Sequence, residues 1–126
     1  MKKIFLPLVM LIVCLSLIAC GSNGKLKTPS VKDGVTTEGE EAIQVRFDWD
    51  KIEGAEGYEI SEENKYCKEE AYREAEYSET TDNFFTCGAQ DDFDFRIKVR
   101  AYKGTGEKRQ YSEWSEYATG STYNKE

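Results

Sequence analysis

Apolar and polar residues alternate in several short stretches of this chain. The strongest is residues 93–102, FDFRIKVRAY, where Phe93, Phe95, Ile97, Val99 and Ala101 alternate with Asp94, Arg96, Lys98 and Arg100. A period of two is what a strand needs when one face is buried and the other is wet. With five apolar positions on one face, this stretch is expected to be the central core strand. Residues 42–49, AIQVRFDW, repeat the pattern with Ile43, Val45, Phe47 and Trp49 on one face. A turn with Gly54 and Gly57 follows, and Tyr58-Glu59-Ile60 opens a third strand, the signature of an antiparallel hairpin.

The remaining elements are read the same way. Residues 33–41 predict a loop with a ragged first strand around 34–37. Residues 83–87, NFFTC, predict a short apolar strand, and 103–110, KGTGEKRQ, a hairpin loop. Residues 111–122 then return as a last strand carrying Tyr111, Trp114 and Tyr117. Residues 61–81 fit two patterns. Glu69 and Arg73 stand at helical ion-pair spacing, yet residues 71–78 also alternate. A loop or single helical turn near 67–70 and a charged edge strand over 72–78 reconcile the two. Short strands joined by turns, with no long helix, predict an all-β antiparallel sandwich.

The N-terminus obeys another logic. Lys2 and Lys3 precede an uncharged apolar run, residues 4–19, which is shorter than the roughly 20 residues a spanning helix needs. The run ends Leu17-Ile18-Ala19-Cys20, then Gly21-Ser22. This resembles the lipobox of bacterial lipoproteins, in which the Cys receives a diacylglyceryl group after cleavage just before it. The resemblance implies a signal peptide over 1–19, lipid on Cys20 and attachment to the bacterial membrane outside the cytoplasm. Residues 20–32, rich in Gly, Ser, Asn, Lys and Pro, read as a flexible tether. A domain over 33–123 and a tail of 124–126 complete the division.

Charge and cysteine content narrow the picture. The chain carries a formal charge of -7 and no His, and loss of Lys2 and Lys3 with residues 1–19 moves the charge to -9. That acidity argues against nucleic acid as a partner. Cys14 lies in the signal run and Cys20 is the lipid site, so Cys67 and Cys87 remain as an even pair in an exported protein. A disulfide between them is expected, closing a loop of about 20 residues and stabilising by about 3 kcal/mol in the chain-entropy picture. The alternative is two free buried thiols.

The succession EGAEGYEI, FRIKVRAY, a Gly-rich loop and YSEWS resembles the fibronectin type III family, over roughly residues 33–123. The resemblance implies a seven-strand sandwich of two sheets with Trp49 against the core strand. Two departures stand out. Phe95 occupies a position where the family usually has Tyr, and the family's cysteine pattern does not account for Cys67 and Cys87. Residues 111–115, YSEWS, also resemble the Trp-Ser-x-Trp-Ser box of cytokine-receptor domains of this fold. That likeness implies a ladder in which Arg96, Lys98 and Arg100 interleave with Tyr111 and Trp114, Trp114 lying over Arg96 or Arg100 and Glu113 adding an ion pair.

No catalytic constellation is visible: there is no His, and no nucleophile with a partner base. Asp91, Asp92 and Asp94 lack the spacing of a calcium loop. No enzyme activity, cofactor or metal is therefore expected. The chain has more tyrosines than one small core can hold, and Tyr suits binding surfaces because it offers flat apolar area with a polar tip. Tyr66, Tyr72 and Tyr77, beside the acids of 62–79, form the expected contact surface. The expectation is a displayed adhesion or binding module for a protein partner, with a carbohydrate-binding module or an accessory subunit of an envelope complex as alternatives.

Overall fold

The computed structural model describes residues 25–38, 43–89 and 92–122. The signal segment, Cys20 and the tail lie outside the described residues. The strands are β1 (Val35–Glu38), β2 (Ile43–Asp48), β3 (Gly57–Tyr66), β4 (Glu76–Thr80), β5 (Phe84–Ala89), β6 (Phe93–Lys103), β7 (Gln110–Tyr111) and β8 (Ala118–Ser121). They form two antiparallel sheets. One has the order β1-β2-β5, and the other β4-β3-β6 with β7 and β8 both paired to the free side of β6. Counting β7 and β8 as two pieces of one strand, this is a seven-strand sandwich.

Strand β6 is the centre of the larger sheet. It pairs with β3 over ten residues, from Gly57 opposite Tyr102 to Tyr66 opposite Phe93. Its alternation does what the sequence demands: Phe95, Ile97, Val99 and Ala101 are buried. Facing them from the other layer are Val45, Phe47 and Trp49, each no more than 1 % exposed. Removing a side chain of this size from water contributes about 1.5–3 kcal/mol. Trp49 meets Tyr58 edge-on with ring centroids 5.4 Å apart. The Tyr58 hydroxyl then accepts the Ile52 N–H at 2.9 Å, so one core pair also pins the β2–β3 loop. Phe95 is buried.

Three elements differ from their sequence expectations. First, residues 25–32 are not all tether: Leu26 and Pro29 are buried, Val31 bridges Trp49, and the Lys32 N–H donates to the Asp48 carbonyl at 2.9 Å. Two isolated apolar residues hold this segment to the sandwich, Leu26 as a member of the core and Val31 packed against it. Second, β3 does not stop at Ile60 but runs to Tyr66. Its outward residues Glu59 and Glu63 pair with Arg100 and Arg96 of β6, so charge matching extends a strand whose apolar pattern has ended. Third, the segment after β3 makes the single turn expected near 67–70, its Glu69 N–H donating to the Tyr66 carbonyl at 2.8 Å, but not the edge strand expected from 72. Glu69 and Arg73 do form an ion pair at 2.7 Å, but on an irregular segment, and the edge strand begins only at Glu76.

The two layers are sewn together along one edge. The Gly34 N–H donates to the Thr119 carbonyl at 2.9 Å and Asp33 accepts the Thr119 N–H at 3.0 Å. A side chain at Gly34 or Gly120 would run into Val45, so the close approach of β1 and β8 needs both glycines.

The inward face of β3 turns polar beyond Ile60. Glu62 accepts hydrogen bonds from the Asn64 and Cys87 side chains, and burial, with a smaller repulsion from Glu76, raises its carboxyl above the ordinary 4.5. A raised folded-state value means the ionised carboxylate opposes folding at neutral pH, and that the penalty fades as pH falls through the folded value toward 4.5. Glu62→Gln should therefore raise the thermal midpoint by a few degrees at pH 7, and by progressively less as the pH approaches 4. Unfolding scans of the two proteins across that range check the sign.

Candidate functional site

The outward face of the β4-β3-β6 sheet is organised by two repeats of different length. Residues 96, 98 and 100 project from β6 every second residue. Opposite them, the segment between β7 and β8 reads Tyr111-Ser112-Glu113-Trp114-Ser115-Glu116-Tyr117, a repeat of three. Its backbone is anchored by the two serines. The Ser112 N–H donates to the Ala101 carbonyl at 2.9 Å and the Ser115 N–H to the Val99 carbonyl at 2.8 Å. The same serines accept the Ala101 and Val99 N–H groups on Oγ, each at 2.9 Å. Each hydroxyl proton is then donated to the next carbonyl, that of Glu113 or Glu116. Three residues of this segment thus match two of β6, and Tyr111, Trp114 and Tyr117 all arrive on the outward face.

There the rings and cations alternate in one line. Arg100 lies between Tyr111 and Trp114, its Cζ 3.7 and 4.5 Å from the two ring centres. Lys98 sits 5.1 Å from Trp114 and 5.4 Å from Tyr117. Arg96 lies 4.3 Å from Tyr117 and 4.1 Å from Tyr72, and Lys65 lies 5.7 Å from Tyr72. Carboxylates tie down three of these cations, two from β3 and one, Asp94, from β6 itself. Glu63 holds Arg96 by two hydrogen bonds at 2.9 and 3.2 Å, Glu59 holds Arg100, and Asp94 lies 3.5 Å from Lys65. The Arg96 bonds hold the Glu63 carboxyl below its usual range, and the Tyr117 hydroxyl, bonded to the same Glu63, is pushed up. Glu113 points elsewhere, to Lys25 at 3.1 Å.

The line is half covered. Ser61 beneath it is 1 % exposed, while Tyr77 is 63 %, Tyr117 44 % and Tyr111 36 % exposed. Tyr77 reaches the line from β4, its ring 6.3 Å from Trp114. The arrangement presents flat rings held between cations, of which Arg96, Arg100 and Lys65 are already paired with carboxylates.

A comparison with solved structures decides the fold. The chain is similar to the fn3 domain of the human collagen alpha-1(XX) chain, at 17% identity over 82% of this chain and 90% of that one, with a TM-score of 0.56. It is also similar to a solved chain described as a myokine structure, at 17% identity over 78% of this chain and 100% of that one, with a TM-score of 0.52. This is a fibronectin type III-like fold. No protein-family model and no curated protein matches the chain.

The fibronectin type III-like sandwich separates residues that the sequence grouped. Tyr72 and Tyr77 belong to the outward face, but Tyr66 has inward parity on β3 and packs edge-on against Phe93, centroids 5.9 Å apart. It is not part of the same surface. The expected Cys67–Cys87 disulfide is absent, and both thiols are free. Cys87 is buried on the inward face of β5 and bonds Glu62, five residues before Cys67. Five residues of strand cover about 16 Å, whereas bridged cysteines need Cα atoms within about 7 Å. Burial, and then Glu62, also push the Cys87 thiol far up. Among the described residues no group of three His, Cys, Asp or Glu is placed to hold a metal ion. The sequence signal for the face was available, since the three-residue repeat of 111–117 is visible by eye. Lys65 escaped, and Tyr72 and Tyr117 were named but not as parts of the ladder, because their places depend on what lies opposite.

Two outcomes follow from this geometry. An alkylating reagent should label Cys67 in the native protein and Cys87 only after unfolding, as peptide mass spectrometry would read, and reduction beforehand should change nothing. Ser115→Ala should cost about 1–3 kcal/mol, because it strands the Val99 N–H without a partner. Glu116→Ala beside it should stay within about 0.5 kcal/mol. Paired denaturant titrations compare the two.

Proposed function

We propose that the protein is a lipid-anchored bacterial surface lipoprotein whose fibronectin type III-like domain binds a protein partner through the outward face of its larger sheet. The observation that carries this reading is the line of rings from Tyr111 to Tyr72, exposed yet already held in place. Binding costs free energy whenever mobile side chains must be ordered, and rigid aromatics avoid much of that cost. Because Glu59 and Glu63 neutralise Arg100 and Arg96, the face is not a general anion trap. It offers stacking area and a few directed polar atoms, which suits a folded protein surface. The adjoining strand β4 pairs with β3 on one side only among the described strands, and it carries Glu76 and Glu79. Its other side offers backbone groups that a partner strand could extend, with acids to attract a basic one.

The lipid on Cys20 rests on the lipobox-like ending of the apolar N-terminal run. Among the described residues no helix is long and apolar enough to cross a membrane. The test is capture by the detergent-solubilised protein, followed by affinity measurement. Tyr72→Ser with Tyr77→Ser should weaken partner binding at least tenfold, about 1.4 kcal/mol, with the unfolding midpoint little changed. Tyr66→Ser should do the reverse, lowering stability through Phe93 and sparing affinity. Undiminished binding by the double variant, or capture of a polysaccharide in place of a protein, would overturn the reading.

A further inference from the structure

One pole of the domain has an electrostatic character opposite to the whole. The end of β2, the start of β3 and the end of β6 meet there, joined by residues 25–27. A depression of about 680 Å³ between them is lined by Lys25, Lys27, Lys51 and Lys103, with Asp50 and Glu53 as the acids on its rim. Lys25 also contacts Glu113 at 3.1 Å. Four lysines against two acids line this site, with Glu56 beside it accepting the Gly104 N–H at 3.3 Å, on a chain whose formal charge is -7.

The site is built on fixed backbone. The Ile52 N–H is held by the Tyr58 hydroxyl, the Ala55 N–H donates to the Ile52 carbonyl at 3.1 Å, and Gly54 turns the loop at a φ of 85°. The Glu56 N–H donates to the Tyr102 carbonyl at 2.8 Å, tying that loop to the strand that carries Lys103. Leu26 is 7 % exposed, so Lys25 and Lys27 flank a buried anchor. The same chain end leads to Cys20. Lys25 stands five positions after Cys20, and five extended steps reach no more than about 18 Å.

We infer that this lysine pole docks on the phosphate headgroups of anionic lipid in the membrane that holds the chain. The inference rests on the lipoprotein reading for its geometry, because the lipid on Cys20 is what keeps the pole within reach of the headgroups. The attraction of basic residues to an anionic leaflet acts within a Debye length, about 8 Å at physiological salt. The rest of the domain, being acidic, is repelled by the same surface. The two effects orient the sandwich with its loops at 50–57 and 103–110 toward the membrane. Cys67 and the segment after it, at the far ends of β3 and β6, then point away, and the aromatic face stands upright between.

The experiment uses the processed full chain, reconstituted into vesicles of phosphatidylcholine alone or with added phosphatidylglycerol. Lysines are labelled with a membrane-impermeant amine reagent and read by peptide mass spectrometry. Lys25, Lys27, Lys51 and Lys103 should be protected several-fold in the anionic vesicles, Lys68 at the far pole should not, and high salt should remove the difference. Lys51→Gln with Lys103→Gln should return Lys27 to its labelling in phosphatidylcholine. Equal labelling in both vesicles overturns the inference, as does equal protection by inorganic phosphate without vesicles. The anchor is tested separately by labelled fatty acid. If none reaches Cys20, the lipoprotein reading fails, and the unlipidated chain is spun with preformed anionic vesicles. Co-sedimentation that the double variant loses then still supports the lysine pole, and no co-sedimentation overturns it.

Discussion

The rest of the molecule depends on the ten-residue pairing of β3 with β6. Both strands alternate, so one register serves two surfaces at once. Toward the other sheet it sets Tyr58 and Ile60 beside Ala101 and Val99, closing the core over Phe47 and Trp49. Toward solvent it sets Glu59 beside Arg100 and Glu63 beside Arg96. A slip of one residue would send the glutamates inward and the apolar residues out. The core therefore enforces the charge pairing, and the charge pairing in turn lengthens the strand beyond its apolar part.

The aromatic face is a second consequence of that register. Cations spaced by two residues and rings spaced by three can interleave only if the covering segment advances faster along the chain than β6 does. The two serines accomplish this by taking over backbone N–H groups of β6 with their hydroxyls, which lets residues 112–117 leave the regular ladder without stranding buried donors. The interruption between β7 and β8 is thus the device that brings Tyr111, Trp114 and Tyr117 to one side.

The polar break in the sandwich interior has a similar origin. Beyond Ile60 the inward positions of β3 are Glu62, Asn64 and Tyr66, and the opposite sheet answers with Cys87. A thiol bonded to a half-buried carboxylate is a poor nucleophile and has its hydrogen bond satisfied. This end of the core trades packing for polar contacts, whereas Val31 bridges Trp49 at the end of β2.

The sequence by itself determined the fold class, the central strand and most strand positions, because alternation is local and is enforced by burial on one face. The likeness of 111–115 to a Trp-Ser-x-Trp-Ser box also implied a ladder of Arg96, Lys98 and Arg100 with Tyr111 and Trp114, without Lys65, Tyr72 or Tyr117. It did not determine how far β3 runs, since the charged residues after Ile60 carry no apolar alternation and Glu63 finds its place only once Arg96 stands opposite. Nor could it separate Tyr66 from Tyr72, or Cys67 from Cys87. Strand parity decides which face a side chain takes, and parity is known only once the register is. The packing of Leu26 and Pro29 was equally hidden, because two apolar residues in a Gly-, Ser- and Lys-rich stretch have no period. Those features belong to contacts between residues far apart in the chain, and only the tertiary structure could decide them.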